Sequence, residues 1–193
     1  MRLKDKVRLG FALCGSFCTF DKALAEMEAL TADYEITPIF SFNAASMDTR
    51  FGPAEGFVRR AEELCGRKAI LTIQDAEPAG PQKLFDIVLV EPCTGNTLAK
   101  LASAVTDTPV TMAVKAHLRN SRPVVLAVST NDALSASAVN IGRLLNAKNI
   151  YFVPMRQDNP EKKPRSLMAD FTKSGPALEK ALSGEQVQPI LFG

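Results

Sequence analysis

Short, nearly uninterrupted apolar runs recur along this chain, and the stretches between them carry helical spacing. The runs are residues 7–14, 34–42, 68–73, 85–90, 123–128 and 149–154, each read as a strand. Residues 20–30 place Phe20, Leu24, Met27 and Leu30 on one helical face. Residues 53–64 form the next helix, with Pro53 suited to a first turn and Gly66 to a C-terminal cap. Residues 98–105, 109–119, 133–145 and 167–182 complete the helical set, the last with a break expected at Gly175 and Pro176. Residues 75–82, with Pro78, Gly80 and Pro81, are expected to be a loop. So are the polar residues 155–165, as a long exposed connection, while 184–193 receive no assignment.

Strands that alternate with helices need crossover connections, and crossovers make a parallel sheet. The run at 85–90 is apolar enough to be covered on both faces. The expectation is one α/β domain over residues 1–193, a Rossmann-like, three-layer, doubly wound parallel sheet. In such sheets ligands bind beyond the carboxyl ends of the strands, near the switch in strand order. Chemistry is therefore sought at four polar clusters: Gly15 and Ser16, 41–43, 94–97 and 129–132.

Composition narrows the field. Hydrophobic residues make up 46% of the 193, ample for a core, and 23 basic against 21 acidic residues leave a net charge of +2. That balance gives no electrostatic footprint for nucleic acid or an anionic membrane. No apolar run approaches the roughly 18 residues that span a bilayer. The charged start, residues 1–6, lacks the apolar region of a signal peptide, so a cytoplasmic location is expected. Cys14, Cys18, Cys65 and Cys93 form no CxxC pair and His117 is the one histidine, so no metal site is expected. The cysteines are read as small buried apolar residues, and His117 as a surface or packing residue.

The first strand end, Cys14-Gly15-Ser16-Phe17-Cys18, lacks the several glycines of a dinucleotide fingerprint. One Gly followed by Ser before a helix suits a monophosphate better, although an ordinary turn reads as well. Ser41, beside Asn43, fits a helix cap and equally a hydroxyl donor to a phosphate. The segment Glu91-Pro-Cys-Thr94-Gly95-Asn96-Thr97-Leu-Ala-Lys100 is sharper. N-capping explains one polar residue there, but not the whole cluster of hydroxyls and amide.

This segment resembles the Pro-Ala-Thr/Ser-Ala-Asn-Thr segment of the flavoprotein family that includes FMN-dependent cysteine decarboxylases and flavin prenyltransferases. The resemblance runs from Gly15 and Ser16, through Ala127-Val-Ser129-Thr130-Asn131 and Asn140, to Pro154. It implies bound FMN, with contacts from Gly15, Ser16, Phe17, Ser41, Asn43, Thr94, Gly95, Asn96 and Thr97, and with Ser129, Thr130 and Asn131 at the flavin edge. The family's decarboxylases have a histidine before the fourth strand and a Pro-Ala-Met-Asn segment after the fifth. Here residues 77–84 hold no histidine and Thr130 stands in place of Met. Both departures argue against cysteine-type decarboxylation.

Residues 15–20, 91–100 and 151–160 resemble more closely a branch of the family that acts on a dihydropyridine dicarboxylate beside a second subunit. That resemblance implies an oxidation that aromatises the ring, with NADP on the partner's nicotinamide-binding domain. A dicarboxylate calls for cationic and amide donors. Arg156, Lys163 and Arg165, with Asn131 opposite, are the candidates, although residues 155–165 also suit a plain solvated connection. A homo-oligomer, trimeric or larger, is implied as well. A flavin-dependent lyase or prenyltransferase, and a non-catalytic flavin-binding assembly subunit, are the alternatives.

Overall fold

A computed structural model of the chain describes residues 6–193. The N-terminal reading above rests on residues 1–6 and so lies almost wholly outside the described residues. Five parallel strands form the frame: β1 Val7–Leu13, β2 Tyr34–Phe40, β3 Ile87–Cys93, β4 Val124–Thr130 and β5 Ile150–Phe152. Their spatial order is β2-β1-β3-β4-β5. The order reverses between β1 and β3, so the helices after these strands diverge and a crevice opens there.

All seven residues of β3 are buried, as a central strand covered on both faces requires. Right-handed crossovers put α1 (Phe20–Leu30) on one face, where it packs on α3 (Ala54–Cys65). On the other face α4 (Ile73–Ala76) packs on α6 (Pro109–Leu118), and α5 (Gly95–Ala102) on α7 (Ala138–Leu145). Helix signals match their causes. Gly66 adopts the left-handed cap of α3 at φ 61°, and Thr108 with Thr111 forms a reciprocal capping box around Pro109 at the start of α6. None of the helices in the described residues is long and apolar enough to cross a membrane.

Several expected elements differ. Residues 68–73 make a single bridge to β2 through Ile70, because Thr72 caps α4 and ends the extension. Residues 75–82 are not irregular: α4 passes into a 3-10 turn at Glu77–Ala79. α5 begins at Gly95, so the polar cluster belongs to the helix start. α7 begins at Ala138 rather than 133, since Asp132 gathers the preceding residues into turns through its carbonyl and carboxylate.

The largest change is after β5. Met155–Arg156 (β6) and Leu167–Ala169 (β7) form an antiparallel hairpin, and β7 pairs antiparallel with Ser129 and Thr130 of β4. The sheet is therefore mixed, though mostly parallel. Helix α8 spans Ser174–Leu182, so Gly175 and Pro176 lie in its first turn, where a missing N–H is harmless, and break nothing. Of the cysteines only Cys14 and Cys93 are buried; Cys18 is exposed and Cys65 half-buried.

Candidate functional site

The carboxyl ends of β1, β2 and β3 open into a cleft of about 330 Å³. Gly15, Ser41, Asn43, Thr94, Asn96 and Thr97 line it, so six of the residues singled out from sequence converge. Phe42, Lys100, Asp107 and Thr108 complete the wall. Their sequence signals are ordinary: a surface aromatic, a lysine within a helix, an acid before one, and a cap.

β3 delivers Thr94 to this place by an irregularity. Its register with β4 shifts between Val90 and Cys93, so Glu91 and Pro92 bulge and the strand end turns. Thr94 then caps α5: its Oγ1 accepts from the Thr97 N–H at 3.3 Å and lies 3.2 Å from Thr97 Oγ1. Ser41 caps α2 (Phe42–Ser46), accepting from the Ala44 N–H at 3.4 Å. Capping and ligand binding are compatible. A cap uses a hydroxyl lone pair and leaves the O–H proton free to donate outward.

Under this polar rim lies an apolar floor. Burial pushes the Cys14 thiol up to about 11, against smaller opposing contacts from Thr97 and Thr94. Burial likewise raises Cys93 well above the usual thiol range, with Cys14 adding to it. Both are neutral at ordinary pH and serve as packing.

A second polar group stands beside the cleft. Ser16 Oγ and Ser129 Oγ lie 2.9 Å apart, linking the ends of β1 and β4 across the end of β3. Thr130 Oγ1 donates to Asp132 Oδ1 at 2.5 Å, and Ser137 Oγ donates to the same oxygen at 3.0 Å. Gly95 rests against these three side chains. Phe17, at the turn after β1, packs on Phe20 with ring centroids 5.3 Å apart and the planes tilted by 46°. Ser16, Phe17, Gly95, Ser129, Thr130 and Asn131 thus stand near the cleft without lining it.

Of the expected dicarboxylate clamp, Arg156 stands apart from Asn131, Lys163 and Arg165. Lys163 is held by Asp158 at 2.6 Å, which is the main reason its ammonium is raised above its ordinary value; Cys18 adds a smaller effect. Lys163 lies in the 157–166 loop, between β6 and β7. The same loop is tied to the segment after β4, where the Arg165 carbonyl accepts from the Leu134 N–H and Ser166 Oγ donates to Asn131 Oδ1 at 3.5 Å. Arg156 instead stacks 5.5 Å over Phe192 and lines a different cleft with Lys22, Glu26 and Asp170.

His117 is buried and its Nε2 lies 3.1 Å from the Pro123 carbonyl, at the amino end of β4. It is a packing residue, at the end of the sheet opposite the cleft. Sequence reasoning missed Glu91. Its carboxyl is fully buried; Oε2 accepts from Ser174 Oγ, and Oε1 has no partner among the described residues. Burial pushes this carboxyl well above the usual range, and Glu26 adds to the rise.

Hydroxyls and amides at the switch point of a 2-1-3-4-5 sheet are a phosphate-binding arrangement. The flavoprotein family model matches residues 1–175. The chain belongs to the flavoprotein family. It is 47% identical, over 98% of its length and 94% of the relative's, to the B subunit of dipicolinate synthase from Bacillus subtilis (strain 168). The crystal structure of the dipicolinate synthase B subunit from Bacillus halodurans C is 40% identical, with a TM-score of 0.89, covering 97% of this chain and 96% of that one. A redox-transfer cage protein from Burkholderia xenovorans, solved with FMN, shares the fold at 17% identity and a TM-score of 0.69, covering 94% and 98%.

Proposed function

We propose that this flavoprotein-family chain binds FMN and acts as the B subunit of a dipicolinate synthase, in the oxidation of dihydrodipicolinate or its precursor during sporulation. The observation that carries the cofactor reading is the convergence of Gly15, Ser41, Thr94 and Thr97 on one cleft. The lining fits a phosphomonoester: the hydroxyls of Ser41, Thr94, Thr97 and Thr108, one lysine ammonium and a glycine that lets backbone approach. The volume suits a small ligand. Similarity over nearly the whole length to the B subunit of Bacillus subtilis supports the choice of substrate.

In this reading Gly15, Ser41, Asn43, Thr94, Asn96 and Thr97 hold the phosphate and sugar-alcohol end. The paired hydroxyls of Ser16 and Ser129 lie toward the ring, with Phe17, Gly95 and Thr130 supporting them. Bound flavin supplies a two-electron acceptor. The neutral thiols of Cys14 and Cys93 exclude water from beneath it. Asn131, Lys163 and Arg165, brought near by the 157–166 loop, orient the dicarboxylate; Arg156 stands apart from them. An A subunit of dipicolinate synthase, with bound NADP, completes the enzyme, and copies of this chain assemble as a trimer or larger.

The test starts with the purified chain and its visible spectrum, alone and after adding FMN. Absence of flavin bands in both, once unbound FMN has been removed by gel filtration, overturns the cofactor reading. The A subunit and dihydrodipicolinate are then added. Product formation that does not change when this chain is omitted overturns a catalytic role, and leaves a flavin-binding assembly role. Release of carbon dioxide instead of dipicolinate favours a lyase.

A further inference from the structure

Among the described residues, Lys100 is the single cation lining the cleft and Asp107 the single acid. Thr94, Thr97 and Lys100 follow one another at three-residue steps along α5, so the lysine continues the hydroxyl stripe one turn farther down. Its Nζ lies 2.9 Å from the Asp107 carboxylate. Asp107 directly precedes the capping box of Thr108 and Thr111, whose reciprocal bonds of 3.1 Å fix the backbone there. The lysine side chain is 23% exposed and the aspartate 54%. The cation thus lies on the inner side of the pair and the acid on the outer.

An ammonium has three donors, and Asp107 uses one. The others are free for an anion in the cleft. Without the acid, the long lysine side chain would sample many rotamers; with it, the charge is held at the wall of the cleft. The acid has a second effect. It cancels the net charge of the lining, so one terminal phosphate meets a held cation, while a further phosphate must pass a carboxylate.

Resting on the FMN reading above, we propose that the pair of Lys100 and Asp107 is the phosphate selector of the site. Lys100 is the binding cation for a single terminal phosphate, and Asp107 positions it and excludes a diphosphate-linked nucleotide. The selected ligand class is a flavin monoester, over riboflavin on one side and FAD on the other.

The experiment measures dissociation constants of riboflavin, FMN and FAD by flavin fluorescence titration. It uses the full chain, Lys100→Met, Lys100→Arg and Asp107→Asn, each checked for native circular dichroism. Lys100→Met weakens FMN by about tenfold or more, as for loss of a charge-assisted hydrogen bond, and leaves riboflavin within about twofold. Lys100→Arg recovers most of the loss. Asp107→Asn narrows the gap between FMN and FAD by several-fold. Equal changes for FMN and riboflavin in Lys100→Met, or an unchanged FMN-to-FAD ratio in Asp107→Asn, overturn the selector while the FMN site stands. No flavin binding by the unaltered chain overturns both.

Discussion

Gly95 opens α5 at the place where that helix meets the segment after β4. A Cβ built on it falls 2.7 Å from Ser137 Oγ and 2.8 Å from both Asp132 Oδ1 and Thr130 Oγ1. Those oxygens cannot retreat independently, since the two hydroxyls both donate to Asp132 Oδ1. Gly95→Ala therefore overpacks the contact, at a typical cost of about 1–3 kcal/mol. Weakening a hydrogen bond to a carboxylate adds about 1.5 kcal/mol. Alanine returns at most about 1 kcal/mol of helix propensity, and less at a first position. The net expectation is a loss of about 1.5–4.5 kcal/mol. Gly142 supplies the control. It lies within α7, and a Cβ there meets nothing within 4 Å, so Gly142→Ala gains about 0.5–1 kcal/mol. Urea titration by circular dichroism reads both variants. For a chain of this size each 1 kcal/mol also moves Tm by about 2–4 °C. A Gly95→Ala protein as stable as its parent would refute the reasoning, because propensity would then have outweighed packing.

Thr97→Val keeps volume and deletes one hydroxyl donor; it weakens FMN by about 1–2 kcal/mol in a fluorescence titration, and unchanged affinity would confine Thr97 to packing. Glu91 is held protonated in the fold, so the unfolded chain releases this proton first, near 4.5, and the carboxyl's contribution is lost as pH rises from there toward the raised folded value. Glu91→Gln lacks that loss, so its stability relative to the parent climbs as pH rises above 4.5; urea midpoints that stay parallel over that rise would sink the assignment. Burial lowers His117 to about 4 from 6.5, so its contribution is full above 6.5 and is lost as pH falls through 4, by up to about 3 kcal/mol. His117→Gln flattens the acid limb of the stability profile, and an acid limb identical to the parent's would contradict this.

The parallel frame was legible because β1, β3 and β4 are buried runs whose composition carries the signal without help from neighbours. α1, α3 and α6 were legible for a similar reason, their periodicity and caps being local. The β6 and β7 strands were not, since two- and three-residue strands have no period. Leu167–Ala169 has helix-compatible residues, and pairing with Met155–Arg156 and with the end of β4 at Ser129 and Thr130 draws it into a strand. Residues 68–73 failed in the reverse sense: β-like composition found one bridge and then a cap at Thr72. At the site, the residues on strand ends were found because the sheet predicts where its carboxyl edge lies. Lys100 and Asp107 were missed because a lysine within a helix and an aspartate before one are common, and only folding sets them against the hydroxyls. The clamp expected at Arg156 failed because the hairpin turns that residue to the far side, toward Phe192.

β4 is a forked strand. Its first half, Val124–Leu126, runs parallel with β5, while Ser129 and Thr130 at its end run antiparallel with β7. One half belongs to the rigid frame, the other to the rim of the cleft. The hairpin loop at 157–166 can therefore lengthen, shorten or change charge while β5 and the central strands keep their register. On the FMN reading proposed above, the donors to the dicarboxylate and the cofactor cradle are then separable traits of this chain.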